Sequence, residues 1–211
     1  MRIVSCIQRS PEWYAARLGK LTGSRVADAF ARLKDGKTEA AGRRNLRVQL
    51  VLERLTGQSQ ENGYVSPDME RGAVLEDEAR GAYEADTGLV VKPVGFVEHE
   101  TLRAGYSPDG LPKDGLVEIK CPKAATHLDY LREGLPREYF LQIVHGLWLT
   151  GASWADFVSY YPTFPEPLRL KVTRIYAKDV DFKAHELNVR LFLSEVDKEV
   201  DAVQALTAAA V

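Results

Sequence analysis

Residues 105–122 read Gly-Tyr-Ser-Pro-Asp-Gly-Leu-Pro-Lys-Asp-Gly-Leu-Val-Glu-Ile-Lys-Cys-Pro, and the rest of the chain is placed around them. The stretch has the pattern of a hairpin: a strand ending near Ser107, a turn rich in Gly, Pro and Asp, and a second strand over 116–121. Side chains alternate across a strand, so Glu118 and Lys120 share one face while Val117, Ile119 and Cys121 turn toward a core. Asp109, at the mouth of this hairpin, is placed to approach Glu118 across the turn. Two carboxylates and an ammonium gathered there make a hard-cation site, and oxygen ligands select Mg²⁺ or Mn²⁺.

Such a site suits phosphodiester hydrolysis. One ion generates the attacking hydroxide while a second, about 4 Å away, stabilises the leaving oxygen. A lysine beside them orients water or offsets charge developing on the phosphate. Glu118 and Lys120 are also what the solvated face of an edge strand would carry. Two details favour the site: this is the only Glu-x-Lys in the chain, and hydrophobic alternation and turn residues flank it instead of a charged run.

The chain of 211 residues and 23.5 kDa suits one domain, residues 1–211, with a substantial core. No apolar run is long enough for a bilayer, and the first ten residues lack a secretory pattern. Two cysteines, Cys6 and Cys121, give no disulfide framework and point to a reducing, cytoplasmic setting. A formal net charge of −2 argues neither for nor against nucleic acid. Its distribution is uneven: Arg32, Lys34, Lys37, Arg43, Arg44, Arg47 and Arg54 cluster in one segment, and residues 61–86 are acidic. A local basic face fits a channel that tracks phosphates, and fits ordinary solvated helices equally.

Residues 10–19 carry helix punctuation, with Ser10 as cap, Pro11 in the first turn, Glu12 at the N-terminal dipole and Gly19 as stop. A second helix start follows, with Thr22 or Ser24 as cap and Val26, Ala29 and Phe30 at helical spacing. Its free N–H groups offer an anion site that Arg17 can reinforce; equally, Ser24 is only a cap and Arg17 a surface charge. A helix to about residue 55 sets Val48, Val51, Leu52 and Leu55 on one face, with Arg43, Arg44 and Arg47 off it. After a polar loop at 57–67, a helix over 68–86 presents Leu75, Ala79, Ala82 and Tyr83 to a core and stops at Gly88. Glu76 borders that buried face, where a carboxylate wants a cation or a metal, although it can also turn to water.

Strands are expected at 89–98, interrupted at Pro93, at 102–107 and at 116–121. Helices follow at 124–132 and 136–149, strands at 154–162 and 168–176, and a long helix at 179–201 with Val189, Phe192, Leu193, Val196 and Val200 on one face, before an Ala-rich tail that frays. The order α-α-α-α-β-β-β-α-α-β-β-α implies an α/β fold, a mixed central sheet flanked by helices. His145 has no second histidine or cysteine at ligand spacing and is set aside as a metal ligand.

Ser-Pro-Asp-Gly-Leu at 107–111 followed by Leu-Val-Glu-Ile-Lys-Cys-Pro at 116–122 resembles the centre of the phage lambda exonuclease family, the YqaJ-type viral recombinases, within the PD-(D/E)xK nuclease superfamily. Trp13, Arg17-Leu18-Gly19 and Thr22-Gly23-Ser24 resemble the family's Trp-x₃-Arg-Leu-Gly-x₂-Thr-Ala-Ser segment, with Gly23 in place of alanine. Gly72, Glu76 and Ala79 resemble its Gly-x₃-Glu-x₂-Ala helix, and Tyr139, Gln142 and Trp148 its Tyr-x₂-Gln-x₅-Trp helix. The similarity spans roughly residues 10–176, its motifs in the family's order.

The resemblance implies a restriction-endonuclease-like core and a Mg²⁺-dependent 5′→3′ exonuclease on double-stranded DNA. Such an enzyme releases 5′-mononucleotides and leaves a 3′ single strand for recombination by annealing. By the same resemblance two Mg²⁺ ions, replaceable by Mn²⁺, fall to Asp109, Glu118, the Ile119 carbonyl and Glu76, while Lys120 positions or activates water. Gln142 lies near the attacking water, and Val144 stands where the family has a second glutamine. Arg17, Ser24 and Ser107 take the 5′-terminal phosphate, the 57–67 region helps part the strands, and Arg43, Arg44 and Arg47 are available to the DNA backbone. Family members are homotrimers that work on DNA ends with a single-strand annealing protein, in the cytoplasm of a bacterial or phage-infected cell. Two rivals share the fold: a PD-(D/E)xK endonuclease, against which the Arg17/Ser24 segment argues, and a non-catalytic DNA-binding subunit, against which the complete core motif argues. A cluster-bearing nuclease is excluded, since it needs four cysteines and the chain has two.

Overall fold

The computed structural model describes residues 1–60 and 66–208. In chain order its first elements are β1 (Arg2–Val4), α1 (Pro11–Arg17), β2 (Leu21–Thr22), α2 (Val26–Phe30), α3 (Ala41–Thr56), α4 (Pro67–Thr87), β3 (Phe96–Glu98) and β4 (Ala104–Tyr106). They are followed by β5 (Gly115–Lys120), α5 (Ala124–Glu133), α6 (Arg137–Thr150), β6 (Trp154–Tyr160), β7 (Leu170–Tyr176) and α7 (Phe182–Ala208). Part of the expected 57–67 loop, residues 61–65, and the end of the Ala-rich tail lie outside the described residues.

The chain divides into two compact units, each discontinuous. The first comprises Met1–Glu61, Gly95–Ser107 and Asp181–Val211, and the second Asn62–Val94 and Pro108–Val180. The mixed sheet expected from the sequence is therefore two mixed sheets, one of four strands and one of three.

In the first unit the strand order is β1-β3-β4-β2. β1 and β4 run antiparallel to β3, and β2 runs parallel to β4 with Leu21 opposite Ala104 and Thr22 opposite Gly105. Gly105 is required there because Phe96 of the neighbouring strand crosses it: an added Cβ would stand 2.1 Å from the ring. Beside the sheet, α2, α3 and α7 pack on one another. Leu46, Leu50 and Val51 of α3 and Val189, Phe192, Leu193 and Val196 of α7 are buried. The expected α3 face is corrected here, since Val48 and Leu52 are exposed. Two further expectations change. Thr22 makes no side-chain cap bond; a single 3₁₀ turn at Gly23–Arg25 leads into α2, which is only five residues long. Arg43 and Arg47 are not open to a DNA backbone: Arg43 is buried, paired with Glu39 at 2.7 Å and Glu195 at 2.6 Å, and Arg47 pairs with Glu39 and Glu199. Buried guanidinium is tolerable only when so paired.

In the second unit β5 and β6 run parallel, with Glu118 opposite Phe157, and β7 closes the sheet antiparallel to β6. Both faces are covered, as parallel strands require. Ala79 and Tyr83 of α4 pack with Val117, Ile119, Cys121, Val158 and Tyr160 on one face, and α5 and α6 pack against the same strands. α4 is fastened to β6 by the Tyr83 hydroxyl, which donates to the buried Asp156 at 2.7 Å, and Arg174 of β7 closes on the same carboxylate through two bonds of 2.8 and 2.7 Å. The helix ends as expected at Gly88, in the left-handed conformation, but begins earlier than expected: Ser66 and Pro67, read as loop, cap and open it, Ser66 accepting from the Met69 N–H.

The expected hairpin does not form. β4 and β5 belong to different sheets, and only an isolated bridge between Gly110 and Val117 survives of the pairing. The strand expected over 89–98 is reduced to Phe96–Glu98, after Pro93. Two strands, β1 and β2, were not expected at all.

Burial against α2, with the Phe30 ring edge-on at 5.5 Å, holds the His185 imidazole down to about 4. An unfolded chain takes up this proton near its ordinary value of 6.5, so the stability contribution is complete above that pH and is lost as pH falls from 6.5 toward 4. The loss should approach about 3 kcal/mol. Thermal melts across that range should show wild type losing stability in acid relative to His185→Phe, the variant keeping the flatter profile; parallel profiles would contradict this.

Candidate active site

β5 carries the centre of the site. Its alternation sends Val117 and Ile119 into the core beneath α4 and turns Glu118 and Lys120 to the opposite face, as the sequence predicts. The Glu118 side chain is 2% exposed, which is costly for a carboxylate unless donors reach it. Two do. Lys120 Nζ lies 2.5 Å from Glu118 Oε1, and Gln142 Nε2 of α6 donates to the same oxygen at 2.6 Å. The Tyr139 ring, one turn earlier on α6, stands 5.2 Å from the Lys120 ammonium and braces it by a cation–π contact.

Asp109 arrives from the turn that replaces the hairpin. Its Oδ2 accepts the Ile119 N–H at 2.6 Å, tying it to β5 midway between Glu118 and Lys120. Burial, and then the charge of Glu118, pushes the Asp109 carboxyl well above its usual range; Lys120 opposes the rise, and Glu76 adds to it. Lys120 is held above its ordinary value: burial disfavours its charge, and Glu118 and Asp109 outweigh that. Glu76 is half-buried on α4, and its charge is felt at Asp109 and at Cys121. Burial pushes the Cys121 thiol up to about 11, which leaves it an inert core residue.

Asp109, Glu118, Lys120 and Gln142 are thus joined through β5, with Glu76 in electrostatic reach. Among the described residues no three His, Cys, Asp or Glu side chains form a ready metal cage. The donor chemistry nevertheless fits a hard cation. Three carboxylates influence one another with a single lysine among them, and Mg²⁺ needs only one or two carboxylates beside water.

Arg17, Ser24 and Ser107 belong to the other unit. The parallel pairing relates the two serines: Thr22 lies opposite Gly105, and each serine follows two residues later, past the same end of the two strands. The 3₁₀ turn holding Ser24 packs against β4, and Ser24 is exposed. Arg17 closes α1, its guanidinium 4.0 Å above the Trp13 ring. The turn after it is fixed by Gly19 at φ 67°, whose N–H donates to the buried Glu53 at 2.8 Å and whose carbonyl accepts from Arg54 at 2.9 Å. Trp13 donates its indole N–H to Ser107 Oγ at 2.7 Å. Trp13 and Tyr139 are visible in the sequence as motif aromatics, but neither their spacing nor their type says what they touch.

Residues 12–153 match the family model described as the YqaJ-like viral recombinase domain. The chain belongs to this family. Among solved structures it is similar to an alkaline exonuclease, LHK-Exo, from Laribacter hongkongensis, at 39% identity and TM-score 0.85, covering 96% of this chain and 100% of that one. A complex of LHK-Exo with dAMP superposes equally well, at TM-score 0.86, 39% identity and the same coverage. A phage-related exonuclease from Haemophilus somnus 129PT shares the fold at 16% identity and TM-score 0.69, over 89% of this chain and 96% of that one. No curated protein sequence matches the chain.

Neutralising Asp109 removes a carboxylate that its surroundings disfavour and leaves an oxygen for the Ile119 N–H. Asp109→Asn should therefore stabilise the metal-free protein, by about 1 kcal/mol, and should abolish any rise of Tm on adding Mg²⁺. Melts in EDTA and in Mg²⁺ read both effects; a destabilised variant that still responds to Mg²⁺ would contradict the assignment.

Proposed function

We propose that this protein is a Mg²⁺-dependent 5′→3′ exonuclease acting on double-stranded DNA. Family membership and 39% identity to an alkaline exonuclease support a nuclease acting on DNA. The observation that carries the finer reading is the buried Glu118, bonded at one oxygen to Lys120 and Gln142 while Asp109 is tied to the residue between them.

Asp109, Glu118 and the Ile119 carbonyl would hold Mg²⁺, with Glu76 and a second ion completing the set, and Mn²⁺ as a substitute. When bound, the metal lowers the pKa of water and neutralises phosphate charge. Lys120 presents an ammonium and its N–H donors to the phosphate or to the incoming water. Gln142, already oriented by Glu118, offers its remaining amide groups to that water. Arg17, Ser24 and Ser107 engage the 5′-terminal phosphate, so hydrolysis begins at an end and leaves a 3′ single strand for an annealing protein. Among the described residues no helix is long and apolar enough to cross a membrane.

Linear duplex DNA with 5′-phosphate ends should be digested to mononucleotides in Mg²⁺ and left intact in EDTA. Lys120→Ala should lower the rate by about 10²-fold or more. Closed circular DNA should survive; nicking of the circle by wild type would instead make it an endonuclease. The homotrimer of the family is expected in solution as well, and light scattering giving a monomer at micromolar concentration would refute it.

A further inference from the structure

Trp13 belongs to the N-terminal motif, yet the proposed function gives it no task. It sits four residues before Arg17 on α1, so the two share a helix face and the guanidinium lies 4.0 Å over the indole. The edge of the same indole donates to Ser107 Oγ at 2.7 Å, across 94 residues of sequence. Tyr14 packs edge-on against the ring at 4.9 Å, and Ser10 caps the helix through the Trp13 N–H at 3.3 Å. The ring is therefore fixed from both its backbone and its side.

These contacts have a directional consequence. An indole N–H can only donate, so Ser107 must accept, and its own hydroxyl proton is left to donate elsewhere. A cation restrained on a ring face keeps its N–H groups in its own plane for hydrogen bonding. One aromatic ring thus prepares two donors for the same anion. We infer that Trp13 is a positioning residue that aligns Arg17 and Ser107 on the 5′-terminal phosphate, and so sets the preference for phosphorylated over hydroxyl ends. The inference rests on the 5′-phosphate pocket proposed above and adds to it the residue that organises it.

The test is equilibrium binding in EDTA, by fluorescence anisotropy, of duplex DNA carrying either a 5′-phosphate or a 5′-hydroxyl, so that no catalysis is needed. Wild type should favour the phosphorylated end. Trp13→Phe keeps the ring under Arg17 and removes the N–H, and should cut that preference by roughly fivefold. Trp13→Leu, which removes both contacts, should cut it further. Ser107→Ala, which removes the phosphate donor together with the acceptor of the indole N–H, should cut the preference at least as far as Trp13→Phe, and the double variant should lose no more than Ser107→Ala alone, because the indole N–H acts only through Ser107. Far-ultraviolet circular dichroism checks that each variant is folded; a misfolded Trp13→Leu leaves the cycle of Trp13→Phe and Ser107→Ala intact. A preference unchanged in Trp13→Phe, a fall in affinity equal for both ends, or independent multiplication of the two effects would overturn the inference. Absence of any preference in wild type would overturn the pocket and the inference together. Failure of wild type to digest DNA in Mg²⁺ would strike the nuclease reading alone and leave this result standing.

Discussion

A carboxylate buried at the middle of a parallel strand is the constraint from which the second unit is built. Leaving Glu118 without partners in that position would cost several kcal/mol, more than most single contacts in a domain return. Lys120 supplies charge from the same strand, two residues on, and α6 must lie where Gln142 can reach the same oxygen. α4 covers the other face, so neither side of β5 is left for water. Asp109 then needs only the Ile119 N–H to join the group. Part of the cost is retained at Asp109, whose charge is disfavoured by burial and then by Glu118, and a proton or a bound cation would relieve it.

The first unit meets a different requirement with a different device. Two parallel strands in register, β2 and β4, set Ser24 and Ser107 each two residues past the paired Thr22 and Gly105, at the same end of the two strands, and the phosphate pocket proposed for them would draw on that spacing. The neighbouring turn is secured by buried charges: Glu53 takes the Gly19 N–H, and Arg54 takes the Gly19 carbonyl. Arg17 therefore leaves α1 on a backbone that has little freedom to move.

Much of this was legible in the sequence, and the omissions share a cause. The helices could be placed because their signals are local: Ser10 as a cap, Gly88 as a stop, and the period of Val189, Phe192, Leu193 and Val196. The face shared by Glu118 and Lys120 followed from strand alternation alone. Pairing is not local. The segment 107–115 has the composition of a hairpin turn, yet β4 finds partners in β2 and β3, and β5 finds β6. β1 and β2, with three and two residues, are too short to show any period. Arg43 and Arg47 misled for the same reason: a basic stretch gives no sign that its counter-charges lie 152 residues later on α7. Trp13 stood out as a motif letter, but its task depends on Ser107, equally beyond local reading.

Those distant counter-charges also impose an order of events on synthesis. The second unit has all of its segments once Val180 has been made, whereas the first still lacks α7. Until Glu195 emerges, the Arg43 guanidinium has no distant carboxylate to justify its burial, and α3 has only the short α2 to cover its apolar side. Domains generally fold as units during translation, N-terminal parts first. Here the part that begins the chain finishes last, and its open helices are exposed to chaperones, or to another nascent chain, while the sheet of the second unit is already complete.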